Sequence, residues 1–199
     1  MIHQTEHARI QKLNLGPLDN CVYVVECLAT GQGVISDAAA ESEVILSAAA
    51  GIDVSRVLET HGHQDHIGAL DPVIEALGVP WAMHPADIDI AGRRPAELLS
   101  DGQEFEVGDL LLHTVSTPGH TPGSVTFVLE PVVFTGDTLF PGGPGATRWE
   151  YSSFGHIMDS IERRIMQLPD STVVFPGHGD GTTIGAERPD LERWRQRGW

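Results

Sequence analysis

His61, His63, Asp65 and His66 crowd into the stretch T-H-G-H-Q-D-H, four metal-ligand side chains within six positions. On extended chain His61 and His63 stand at i and i+2, so both imidazoles point the same way. Asp65 and His66 then come round a bend, toward a second ion close by. Three more ligand-type residues follow apolar runs, each beside glycine: His120 in T-P-G-H-T-P-G-S, Asp137 in F-T-G-D-T-L-F and His178 in F-P-G-H-G-D. A strand fixes the position of such a side chain, and the glycine lets the backbone break out of the sheet. Five histidines and two carboxylates with no thiolate suit zinc, iron(II) or manganese rather than copper(I) or an iron–sulfur cluster. Seven ligands exceed what one tetrahedral ion can use, but two divalent ions can share them if a carboxylate bridges. Two ions about 3.5–4 Å apart clamp a hydroxide, lower its pKa toward about 7 and polarise the bond it attacks. Either His120 or His178 alone would read as an ordinary loop histidine; together with the cluster they read as ligands. His3, His7, His84, His113 and His156 have no such context and are expected at the surface or in structural roles, His84 ending a strand before Pro85.

The elements that must position these residues are short. Runs at 10–14, 21–28 and 33–37 read as strands of a meander, broken by the G-P-L-D-N and T-G-Q-G turns. Residues 38–50 are helix formers stopped by Gly51. Residues 54–59 form a strand that runs directly into the histidine cluster. A helix over 69–77 ends at Gly78, and a strand follows over 80–84. Residues 105–107 and 110–115 make a hairpin around Gly108-Asp109, and 124–129 with 132–135 make another around Glu130-Pro131. A helix over 154–168, a short strand at 173–175 and a closing helix over 187–197, opened near Pro189, complete the pattern. Strand pairs covered by helices, once in each half, predict an α+β fold of two sheets packed face to face with helices outside.

Composition bounds the partners. A chain of 199 residues suits one domain spanning 1–199, large enough for a core without staples. Acidic residues outnumber basic ones 28 to 12, and such a field repels phosphate backbones and anionic lipid. Nucleic acid and membrane are therefore not expected partners. No stretch reaches the roughly 18 apolar residues of a membrane span, and the N-terminus lacks the apolar region of a signal peptide. Both point to the cytoplasm. Cys21 and Cys27 are too few for a disulfide framework and, at even spacing on one strand, are expected as buried free thiols.

Five motifs in order make the chain resemble the metallo-β-lactamase fold superfamily over nearly its whole length. They are Asp37 in V-I-S-D, the T-H-G-H-Q-D-H signature, and the segments carrying His120, Asp137 and His178. The resemblance implies a four-layer αβ/βα sandwich. It also implies one ion held by His61, His63 and His120, and another by Asp65, His66 and His178. Asp137 would bridge the two, and Asp37 would orient a ligand histidine from behind. Zinc is the first expectation for both ions, with iron or manganese as alternatives.

Within that superfamily, T-H-G-H-Q-D-H-I-G and G-D-T-L-F look most like the glyoxalase II group, thioesterases acting on hydroxyacyl-glutathione. The implied reaction is attack of a metal-bridging hydroxide on a thioester carbonyl, with Asp65 and Asp137 at the catalytic centre. Glyoxalase II enzymes carry a basic residue in a G-C-G-R/K-type stretch after G-D-T-L-F, whereas this chain has P-G-G-P-G-A-T-R ending at Arg148. The helical extension that supplies further glutathione contacts is also expected to be missing, so the small-molecule substrate is an acyl thioester or ester of undefined leaving group. Persulfide dioxygenases share the fold with one iron, which would match His61, His120 and Asp137. Lactonases of the fold place tyrosine where Phe140 stands here, and β-lactamases generally lack the bridging aspartate. A metal-binding module without catalysis is the remaining alternative. The glycine- and proline-rich stretch from Phe140 to Arg148 is expected beside the metals on the substrate side, with Trp149 and Tyr151 as candidate pocket walls. Homo-oligomerisation is left open.

Overall fold

A computed structural model describes residues 1–198. The first sheet runs in the order β1 (Ile2–Gln4), β2 (Ala8–Leu15), β3 (Asn20–Cys27), β4 (Gln32–Ser36), β5 (Asp53–Leu58), β6 (Trp81–Met83) and β7 (Glu97–Leu98). Its first four strands form the antiparallel meander; β4 to β7 pair in parallel through helical crossovers. These crossovers are α1 (Ser42–Ala48), α2 (Gln64–Ile67) with α3 (Leu70–Leu77), and α4 (Ile88–Ala91). The second sheet contains β8 (Glu104–Val107), β9 (Leu110–Ser116), β10 (Val125–Leu129) and β11 (Val132–Gly136), antiparallel in succession. A two-stranded ribbon, β12 (Leu139–Phe140) with β13 (Gly143–Pro144), and α5 (Phe154–Ser160) follow β11. Then β14 (Val173–Pro176) pairs parallel with β11 and antiparallel with β15 (Thr182–Thr183), before α6 (Ile184–Glu187) and α7 (Leu191–Arg197).

Strand periodicity explains how four layers close. Along β3 the inward set Cys21, Tyr23, Val25 and Cys27 joins Phe105, Phe127, Phe134 and Phe175 of the other sheet in one central core. The alternate residues Val22 and Val24 pack outward against Ile45 of α1 and Val73 of α3. On the far side Val133 and Val174 pack against Ile157 of α5 and Trp194 of α7. Both faces of each central strand are thus apolar, as the unbroken run V-Y-V-V implies. This is the αβ/βα sandwich. Cys21 and Cys27 are buried and unpaired, as expected. Among the described residues no helix is long and apolar enough to cross a membrane.

Beyond shifts of a residue or two and added short elements, the structure departs from the sequence reading at four places. The helix expected over 38–50 begins only at Ser42, although three alanines precede it. The Ala38 amide donates to Glu59 Oε1 and its carbonyl accepts from Ala69, so these tertiary bonds keep residues 38–40 out of the helix. The strand expected to end at residue 59 ends at Leu58, and His61 and His63 lie on a bend rather than on strand. The helix over 154–168 widens after Ser160 into a π turn, closed by Met166 N–H on Ile161 O. The closing helix breaks at Arg188–Asp190, because Pro189 lacks the amide a continuous helix needs. There the Arg188 side chain ties down the carbonyls of Met166 and Leu168.

Candidate metal centre

Every expected ligand leaves the carboxyl end of a strand at one edge of the sandwich. His61 and His63 follow β5, Asp65 and His66 ride on α2, and His120, Asp137 and His178 follow β9, β11 and β14. Both sheets therefore contribute. His61 Nε2 lies 3.1 Å from His63 Nδ1, which lies 3.0 Å from His120 Nε2. His66 Nε2 lies 3.1 Å from His178 Nε2, and Asp65 Oδ2 stands 3.5 Å from His178 Nε2. Asp137 spans the two groups: Oδ1 is 3.4 Å from His66 Nε2, and Oδ2 is 3.4 Å from His120 Nε2 and 3.5 Å from His178 Nε2. The atoms of His61, His63 and His120, and those of Asp65, His66 and His178, each fall within 4.8 Å of one another.

The outward ring nitrogens decide what the inward ones can do. His120 Nδ1 lies 2.8 Å from Ala146 O, and His178 Nδ1 lies 2.9 Å from Leu18 O. A carbonyl only accepts, so these nitrogens carry the ring proton and turn a lone pair inward. Thr60 donates its hydroxyl to Asp37 Oδ2 at 2.8 Å, leaving its oxygen to accept from His61 Nδ1 at 3.1 Å. Asp37 Oδ2 accepts from His66 Nδ1 at 2.9 Å, the orienting contact the family resemblance implied. His63 alone is reversed, with Nδ1 inward and Nε2 on the Tyr151 hydroxyl at 2.8 Å.

Electrostatics favour the same arrangement. Burial, then His66, holds His61 well below the usual imidazole range; burial and His120 push His63 down to about 4. Burial also lowers His120. Burial opposes charge on His66 and His178, but Asp137 outweighs it and raises both. Burial likewise opposes the Asp137 anion, yet His66 and its neighbours hold that carboxyl well below its ordinary range. The centre thus sets the Asp137 anion among three imidazoles that burial keeps neutral and two, His66 and His178, that it draws toward the charged form, where a cation would take the place of the inward proton.

Divalent cations fit this set on two observations. Asp137 Oδ1 is buried among the ligand side chains and makes no hydrogen bond. The inward nitrogens also stand close to the roughly 3.3 Å separation of tetrahedral zinc–nitrogen geometry. Gly177 keeps the space open: a Cβ there would lie 2.1 Å from Asp137 Oδ1 and 2.8 Å from His66 Cε1. Gly177→Ala is accordingly expected to lower cation affinity at least tenfold without unfolding the chain, read by zinc content after graded chelation. Wild-type retention would remove Gly177 from the cradle.

A cavity of about 670 Å³ opens over the centre, lined by Phe140, Arg148, Trp149, Leu18 and Arg197 among others. Trp149 packs its ring 4.6 Å from His63, and the Arg148 guanidinium lies 4.8 Å over the indole. Phe140, Arg148 and Trp149 stand where the sequence expected them. Tyr151 does not line the cavity; it stacks on Trp149 and supports His63 from behind. The five remaining histidines lie apart from the centre; His84, expected to end a strand, follows β6 by one residue and caps the turn at Pro85 by accepting from the Ala86 amide.

Sequence reasoning missed four residues. Asn20, read only as part of a turn, donates from Nδ2 to Asp65 Oδ2 at 3.0 Å. Thr60 orients two ligands' supports at once. Glu59, fully buried against Asp37, has its carboxyl pushed well up by burial and then by that neighbour. Asp87 lies under the first histidine group. The E-T preceding the histidine signature was a usable signal; nothing in the spacing marks Asp87.

The family model described as "Metallo-beta-lactamase superfamily" matches residues 15–178. A "Probable metallo-hydrolase" of Bacillus subtilis (strain 168) is 32% identical over 199 residues, 89% of this chain and 93% of its own length. A crystal structure of TTHA1623 in a di-iron-bound form is similar at TM-score 0.80 and 33% identity, covering 89% of this chain and 96% of that one. ETHE1 from Myxococcus xanthus is similar at TM-score 0.82 and 30% identity, covering 92% and 83%.

Proposed function

The chain belongs to the metallo-beta-lactamase superfamily, and on that premise we propose that it is a binuclear metallohydrolase of glyoxalase II-like type that cleaves a small acyl thioester or related ester. The observation that carries this reading is Asp137, whose carboxylate stands between the two groups, Oδ2 beside His120 of one and His178 of the other and Oδ1 beside His66, with Oδ1 buried and making no hydrogen bond. His61, His63 and His120 would hold one cation and Asp65, His66 and His178 the other, with Asp137 between. Zinc fits this donor set first; the di-iron neighbour keeps iron as the alternative, with manganese behind it. When bound, two such cations lower the pKa of a water between them toward about 7 and polarise an acyl oxygen.

The chain's own residues do the rest. Phe140 and Trp149 form apolar walls that seat the acyl group and limit water beside it. Arg148 and Arg197, on the cavity lining of a chain with net charge −16, favour a substrate with an anionic end. Asp65 lines the cavity beside His178, where its carboxylate would receive the proton that the attacking water gives up. Ala146 O, Leu18 O, Thr60 and Asp37 keep the imidazole protons on the outer nitrogens throughout. A thiolate leaves with little protonation, so no further acid is required of the chain.

The test compares thiol release from lactoylglutathione and simpler acyl thioesters with oxygen uptake on glutathione persulfide, using zinc- and iron-loaded protein. Thiol release without oxygen uptake is expected. Oxygen uptake with iron alone would replace the hydrolase with the mononuclear dioxygenase, which would use His61, His120 and Asp137.

A further inference from the structure

We propose that Asp87 is a positioning residue that clamps together the two loops bearing His61, His63 and His120, and so sets one of the two cation sites without setting the other. This rests on the two-cation reading above. Asp87 is fully buried after β6, in a third segment that contributes no ligand of its own. Its Oδ2 accepts from Gly62 N–H at 2.8 Å and from the Thr121 hydroxyl at 2.6 Å; its Oδ1 accepts from Gly123 N–H at 2.6 Å. Gly62 is the residue between His61 and His63, and Thr121 directly follows His120. One carboxylate thus joins segments nearly sixty residues apart in sequence at the points where their ligands diverge.

The two backbone donors are glycines for a physical reason. A Cβ on Gly62 would meet Asp87 O at 2.8 Å and Asp87 Cβ at 3.0 Å; one on Gly123 would meet Asp87 Oδ1 at 2.6 Å. The loops approach the carboxylate as closely as backbone can. Charge-assisted bonds of this length are the stronger kind, and a buried anion with three donors fixes their relative positions.

The other ligand group has separate supports. Asp37 holds His66, Leu18 O holds His178, and Asn20 holds Asp65. None of these touches Asp87. The Asp37–Thr60 pair and Asp137 join the two groups, but the Asp87 bonds reach the loops of the first group alone, so damage to the clamp falls on that group's cation.

Asp87→Asn retains the shape but places an NH₂ group against either the Gly62 or the Gly123 amide. Zinc binding to metal-free protein, measured in competition with a chelator, is expected to show one step weakened about 10- to 100-fold and one unchanged. The surviving step identifies itself in double variants. Asp87→Asn with His178→Ala is expected to hold almost no zinc, whereas Asp87→Asn with His63→Ala still holds about one ion per chain. Equal weakening of both steps, or no weakening, would overturn the clamp while leaving the two-cation reading intact. A wild-type chain that binds no zinc would refute that reading and the clamp together. Should circular dichroism show Asp87→Asn unfolded, Thr121→Val removes one donor only. It is then expected to weaken the same single step by a smaller factor, and unchanged or uniformly reduced binding would again refute the proposal.

Discussion

Asp137→Ala is expected to lower thioester hydrolysis by more than about 100-fold and to bring zinc below two ions per chain, with the far-ultraviolet spectrum of a folded protein retained. Loss of a partner behind a ligand typically costs 10- to 100-fold in metal affinity or activity, so loss of a carboxylate shared by both groups exceeds that range. Asp137 stands within 3.5 Å of His66, His120 and His178. Without it, Asp65 is the one carboxylate left among the seven ligands, and the group of His61, His63 and His120 has no anion to offset the cation it would hold. Folding survives because the residue lies beyond the end of β11, outside the apolar clusters, and Oδ1 makes no hydrogen bond to the chain. Retention of more than about a tenth of the activity would remove Asp137 from the centre.

Chelation is expected to abolish activity and lower the melting temperature by roughly 10 °C, both restored by zinc. A ligand at about a thousand times its dissociation constant stabilises the folded chain by about 4 kcal/mol. A domain of this size shifts by about 2–4 °C for each kcal/mol. The cause is visible in the inward nitrogens, which crowd to 3.0–3.1 Å of one another around the buried Asp137 carboxylate, an arrangement a bound cation would hold together. Calorimetry at fixed protein concentration, with and without chelator, makes the comparison. An unchanged melting temperature would mean that no cation is held in the folded state.

The ligand pattern was legible because its residue types are costly to place together by accident and because strand ends deliver them one at a time. The layers were legible through period-two alternation: β3 sends Tyr23 to the central core and Val22 to the helices, and both kinds of position are apolar. What sequence hid is work done by backbone. Ala38 and Ala39 favour helix by propensity, yet the backbone bonds of Ala38 to Glu59 and to Ala69 before α3 override it. Ala146 and Leu18 support ligands through carbonyls, which carry no side-chain signature. Asp87 is invisible for a related reason: two of its three donors are glycine amides, and H-P-A-D reads as the start of a turn. Tyr151 shows the converse, an aromatic correctly placed near the centre but supporting a ligand rather than walling the cavity.

The most direct measurement is anomalous diffraction across the zinc edge from crystals grown with zinc. Two peaks about 3.5–4 Å apart are predicted, one enclosed by His61, His63 and His120 and the other by Asp65, His66 and His178, with Asp137 touching both. A lone peak, or a pair that leaves His178 or His120 outside coordination distance, would contradict the account.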